Sequence, residues 1–136
     1  MSDALSGVVF DYSALKAWAF QLPYVQATAW ATVRIGNTIV VPTTALTVAQ
    51  GVIPEQRLDI LEVLLNLPHT VIANLDRQAA AALAASLTSR SEADIETELA
   101  ARHVVHEAVR RGFQCVTHRG DLLRTFDDRV IIDTLP

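Results

Sequence analysis

The chain has 136 residues, a length suited to one domain spanning 1–136 with a single hydrophobic core that closes without covalent staples. Apolar residues make up 51% and charged residues 19%, which excludes a disordered chain, and the formal charge of −4 argues against a general nucleic-acid coat, whose affinity comes from neutralising phosphates. The lone Cys115 excludes an internal disulfide, and no leader pattern or apolar run of membrane-spanning length stands out, so a reducing, cytoplasmic setting without a membrane partner is expected.

In chain order, Val8, Val9 and Phe10 are β-branched or aromatic without polar alternation, the pattern of a strand covered on both faces. That strand delivers Asp11 to the end of a sheet, just before a helix over 13–20. Asp11 there is either a site residue or a cap of the helix. Pro23 opens a second helix that runs through Val33 and ends at Gly36-Asn37. A second strand over 38–42 stops at Pro42, Thr43 and Thr44 open a helix that ends near Gly51, and another helix starts at Pro54. This last helix places Leu58, Ile60, Leu61, Leu64 and Leu65 on an apolar face broader than a small sheet needs, from which a homodimer is expected.

A third strand over 70–75 leads to Asp76, the N-cap of an alanine-rich helix over 78–87, and Ser89-Arg90-Ser91 breaks the pattern. A long helix then starts at Ser91 or Asp94 and closes at Gly112. A fourth strand over 113–117, a short helical turn over 121–126 and a fifth strand over 130–132 complete the chain, with no internal repeat. Strands alternating with helices imply a three-layer α/β/α sandwich around a mostly parallel sheet of about five strands. A helix that precedes a parallel strand starts near the sheet's carboxyl edge. Glu98, early in the helix before the fourth strand, and Asp121, just beyond that strand, are therefore expected to converge with Asp11.

Two or three carboxylates facing one another need a cation or a proton between them, and hard oxygen ligands suit Mg²⁺ or Mn²⁺. Such an ion polarises a phosphodiester and activates water. The histidines offer a rival: His103 and His106 stand three apart on one helix and His118 follows the fourth strand, but no Cys pair or metalloprotease glutamate accompanies them. Ser13 lacks the Gly-x-Ser-x-Gly elbow of a hydrolase nucleophile, and no Gly-rich phosphate loop is present. Cys115 lies in an apolar segment and reads as a core residue. Six of the eleven basic residues (Arg102, Arg110, Arg111, Arg119, Arg124, Arg129) fall in the last thirty-five positions, behind the acidic Glu92, Asp94, Glu96 and Glu98. They form either a local basic face or, for Arg110 and Arg111, a last helical turn that meets the negative end of the macrodipole.

Three stretches, taken in order, resemble the PIN domain: Val8-Val9-Phe10-Asp11-Tyr12-Ser13-Ala14-Leu15, Ile39-Val40-Val41-Pro42-Thr43-Thr44-Ala45-Leu46, and 101–108 followed by Gly112 and Cys115-Val116-Thr117. The resemblance implies an α/β/α nuclease whose acids gather at one sheet edge around Mg²⁺ or Mn²⁺, possessed by toxin ribonucleases of toxin–antitoxin pairs. It implies Asp11 as metal ligand and Ser13 as the hydroxyl residue beside it. It also implies a glutamate near Thr47-Val48-Ala49-Gln50, where no carboxylate occurs. Further aspartates align with Ala101, where Glu98 one turn earlier is the substitute, and with Arg119, where Asp121 stands two residues on.

Two readings follow. The first is a metal-dependent ribonuclease with Asp11, Glu98 and Asp121 as ligands and Ser13 and Thr117 orienting them or a metal-bound water. The second is a catalytically silent PIN-like module that binds RNA or a protein, with Arg119 contacting phosphate or pairing with Asp11 to hold a metal-free pocket closed. Under either, an antitoxin protein or a second copy of the chain is an expected partner.

Overall fold

The computed structural model describes residues 6–87 and 91–136. Five strands form one sheet: β1 (Gly7–Phe10), β2 (Thr38–Pro42), β3 (Thr70–Ala73), β4 (Gln114–Thr117) and β5 (Ile131–Thr134). Every pairing is parallel and the order is β3-β2-β1-β4-β5. The chain builds outward from β1 through β2 to β3, then returns to the other side of β1 for β4 and β5. The reversal falls between β1 and β4, the position where open α/β sheets bind ligands beyond their carboxyl ends.

The helices are α1 (Tyr12–Ala19), α2 (Pro23–Arg34), α3 (Thr43–Val52), α4 (Leu58–Leu65), α5 (Arg77–Ser86), α6 (Glu92–Thr97), α7 (Leu99–Arg111) and α8 (Gly120–Phe126). Alternation along the inner strands divides the core between two faces. Phe10, Ile39, Val41 and Val116 pack with Leu15, Trp18, Val25, Leu61 and Leu64 on one side, and Val9, Val40 and Cys115 pack with Val104, Ala108 and Leu123 on the other. Parallel strands need both faces covered, and these two apolar layers do so. At Gly7 the backbones of β1 and β2 approach so closely that a Cβ would collide with the Thr38 carbonyl oxygen.

Several boundaries differ from the sequence reading. The helix expected from Pro54 begins as a 3-10 turn over Glu55–Arg57 before α4. The long helix expected before β4 is two helices: Ser91 caps α6 through the Asp94 N–H at 3.4 Å, and the chain re-aims at Glu98, whose φ of −101° and ψ of 9° leave the helical region. Apart from Ser91, the break expected at Ser89-Arg90-Ser91 lies outside the described residues. Asp76 caps α5 as expected, accepting from the Ala79 N–H at 2.8 Å, and Gly112 ends α7 at φ 70°. The apolar face of α4 is largely consumed by the core: Leu61 and Leu64 are buried, Leu58, Ile60 and Leu65 pack against them, and Val63 faces out. Among the described residues no helix is long and apolar enough to cross a membrane.

Candidate functional site

At the reversal between β1 and β4, Asp11 leaves the sheet and enters α1. Its N–H donates to the Val116 carbonyl at 3.2 Å, and its own carbonyl accepts from Ala14 and Leu15 at 3.0 and 3.1 Å. The backbone thus starts the helix, while the side chain makes no cap bond. The capping alternative for the carboxylate is not what the chain adopts. Instead Asp11, wholly buried, takes a guanidinium side-on to both oxygens. Arg119 Nε donates to Oδ2 at 2.7 Å and Nη2 donates to Oδ1 at 2.7 Å. Planar bidentate pairs of this kind are among the strongest charge-assisted hydrogen bonds.

Two hydroxyls complete the arrangement. Thr117 Oγ1 donates to Asp11 Oδ2 at 2.7 Å and accepts from the Arg119 N–H at 3.0 Å. Ser13 Oγ donates to the same oxygen at 3.3 Å and accepts from the His118 N–H at 3.2 Å. The Arg119 guanidinium also lies 4.7 Å from the centre of the Tyr12 ring. Burial works against the Arg119 cation, but its hydrogen bonds to Asp11 and that residue's charge prevail and raise its pKa further. Arg119 is a permanent cation here.

The other expected ligands are engaged elsewhere. Glu98 sits at the α6–α7 junction with its carboxylate 3.1 Å from Arg102 Nη2. Asp121, fully exposed, stands 3.4 Å from Arg124. Ala101, where the resemblance implies an aspartate, is buried in the apolar layer beneath α7. Among the described residues no group of three or more His, Cys, Asp or Glu side chains is placed to share a metal ion, so Asp11, Glu98 and Asp121 are not gathered as the sequence suggested, nor are the histidines. The residues at the reversal do not fit a hard divalent ion: they offer one carboxylate, and both its oxygens already face a fixed positive charge.

His103 belongs to a second buried polar node. Its Nδ1 lies 2.7 Å from Thr44 Oγ1 and its Nε2 3.5 Å from Glu107 Oε2. Glu107, also buried, accepts from Arg110 Nε at 3.0 Å and Arg111 Nε at 3.2 Å. Burial favours the neutral acid, yet the contacts from His103 and Arg110 and the charges of Arg110 and Arg111 hold the Glu107 pKa down at about 2. Sequence reasoning passed over Glu107 as a partner, though its spacing of three and four residues to Arg110 and Arg111 was a usable signal. Cys115 is buried in the core as expected, and burial pushes its thiol pKa up.

Sequence reasoning also missed Tyr12, which carries Arg119 on its ring and lines a groove of about 610 Å³ with Phe20, Leu22, Tyr24, Val25 and Leu135. Lys16 stands exposed on its wall, and Tyr24 donates its hydroxyl to Asp133 on the far side. Tyr12, Lys16 and Phe20 stand at helical spacing along one wall, but a single helix face does not announce the whole groove. It is assembled from α1, α2 and the segment that follows β5.

No family model matches the chain, and no curated protein matches it. Among solved structures, the chain is similar to VapBC2 from Rickettsia felis bound to a DNA fragment from its promoter, with a TM-score of 0.64 and 12% identity over 94% of this chain and 98% of that chain. At that identity the likeness speaks for the fold. Together with the all-parallel sheet in the order 3-2-1-4-5, it identifies the architecture of this chain as PIN-like.

Proposed function

We propose that this chain is a PIN-like module that does not cut RNA and acts by binding a protein partner. The observation that carries the reading is the bidentate Asp11–Arg119 pair. A metal-dependent nuclease needs converging carboxylates open to an ion, and the side chain best placed for that role is fully engaged by an arginine. The rival reading, with Mg²⁺ or Mn²⁺ held by Asp11, Glu98 and Asp121, lacks a shared cluster among the described residues.

Between RNA and protein as the partner, the arginine pairing favours protein. Each of the six arginines from 102 to 129 has a carboxylate oxygen within 3.4 Å, so the basic C-terminal third carries little uncompensated charge with which to hold phosphates. The groove beside the site is apolar and aromatic, suited to the side chains of a protein segment. The likeness to VapBC2 supports a partner of the antitoxin kind. The test is RNA cleavage by the purified protein in millimolar Mn²⁺ and Mg²⁺. No activity above that of Asp11→Asn is expected, and cleavage that Asp11→Asn abolishes would refute the reading.

A further inference from the structure

We propose that the end of β1 and β4 is a guanidinium site, occupied by the chain's own Arg119, and that it selects a planar cation with paired N–H donors over a spherical ion. The inference rests on the closed-site reading and specifies what closes it.

Four features match a guanidinium, and the first two are not needed for a point charge. Both Asp11 oxygens receive separate donors at 2.7 Å, one from Nε and one from Nη2, which fixes the guanidinium in the carboxylate's own fork geometry. The Tyr12 ring supplies a flat apolar wall 4.7 Å from the guanidinium carbon. Thr117 and Ser13 satisfy Asp11 Oδ2 from other directions, so the carboxylate is held in place before any cation arrives. Asp11 itself is wholly buried, so its charge has no recourse to water and demands a cation with hydrogen-bond donors that can approach along that fork. A divalent ion would instead require several oxygen ligands, and this pocket offers a single carboxylate.

Chemical rescue tests the proposal. Arg119→Ala should lower the thermal unfolding midpoint by roughly 10 °C or more. Methylguanidinium at tens of millimolar, far below denaturing concentrations, should then restore part of that loss in a saturable way. Methylammonium, of equal charge and different shape, should not restore it, and neither should Mn²⁺. The wild type and the double variant Asp11→Asn/Arg119→Ala should show no rescue. Arg119→Lys, which keeps the charge and loses the fork, should be less destabilised than Arg119→Ala yet clearly less stable than the wild type, and it serves where Arg119→Ala cannot be purified; a Lys variant as stable as the wild type overturns the proposal. Rescue by Mn²⁺ alone, equal rescue by both organic cations, or no rescue overturns the proposal. RNA cleavage by the wild type would sink the closed-site reading instead, so the two failures are distinguishable.

Discussion

Removing Arg119 should cost more stability than removing the charge of Asp11, although the two residues form one ion pair. The asymmetry comes from access to water. Asp11 is 0% exposed, whereas the Arg119 side chain retains 23% exposure on a long flexible stem. In Arg119→Ala the carboxylate stays buried with only the Thr117 and Ser13 hydroxyls as side-chain partners. In Asp11→Asn the guanidinium can turn outward and recover hydration. Truncating one member of a buried pair costs about 3–5 kcal/mol, so Arg119→Ala belongs near about 4 kcal/mol and Asp11→Asn near about 2 kcal/mol. The double variant should also cost about 2 kcal/mol, an interaction energy of about 4 kcal/mol against additivity. Urea unfolding followed by far-UV circular dichroism in EDTA measures all four proteins, and the midpoints should move at constant slope. Equal costs for the single variants, or a double variant equal to their sum, would refute the reasoning.

Glu107, held at about 2 against an ordinary 4.5, contributes stability that is complete above the ordinary value and lost as pH falls toward 2, a contribution of about 3 kcal/mol. Glu107→Gln should therefore be destabilised at pH 7, with the gap to the wild type narrowing below pH 4.5 and closing only as pH falls through about 2 in unfolding experiments; a pH-independent gap would contradict this. Gly7→Ala should be destabilised by about 3 kcal/mol or more, because its methyl group meets the Thr38 carbonyl of a paired strand; denaturant midpoints report it. The Cys115 thiol, buried and pushed up in pKa, should react with a disulfide reagent at pH 8 only as fast as the chain unfolds. Prompt labelling of the native protein would show that the core is open there.

The sequence by itself determined the order and kind of the elements. Apolar strand runs such as Val8-Val9-Phe10, the proline at 42, the Asp76 cap and the Gly112 stop are local signals, each read over a few residues, and they suffice for an α/β sandwich with Asp11 at a strand tip. The resemblance to the PIN domain, in which Arg119 aligns with an expected aspartate, pointed to an Arg119–Asp11 pair as one of the outcomes at that tip. What the local signals missed at short range was the re-aiming of the chain at Glu98, because its neighbours form helix readily on either side.

Only the tertiary structure decided which side chain meets the Asp11 carboxylate. Residues 11 and 119 are joined by the pairing of β1 with β4, and whether acids or an arginine arrive there depends on directions of side chains that periodicity does not encode. An acid at the correct edge of a sheet reaches a common point only if its Cα–Cβ vector aims there and no nearer cation captures it. Arg102 and Arg124 hold Glu98 and Asp121 one helical turn away, while Arg119 lies close enough to Asp11 to close the site.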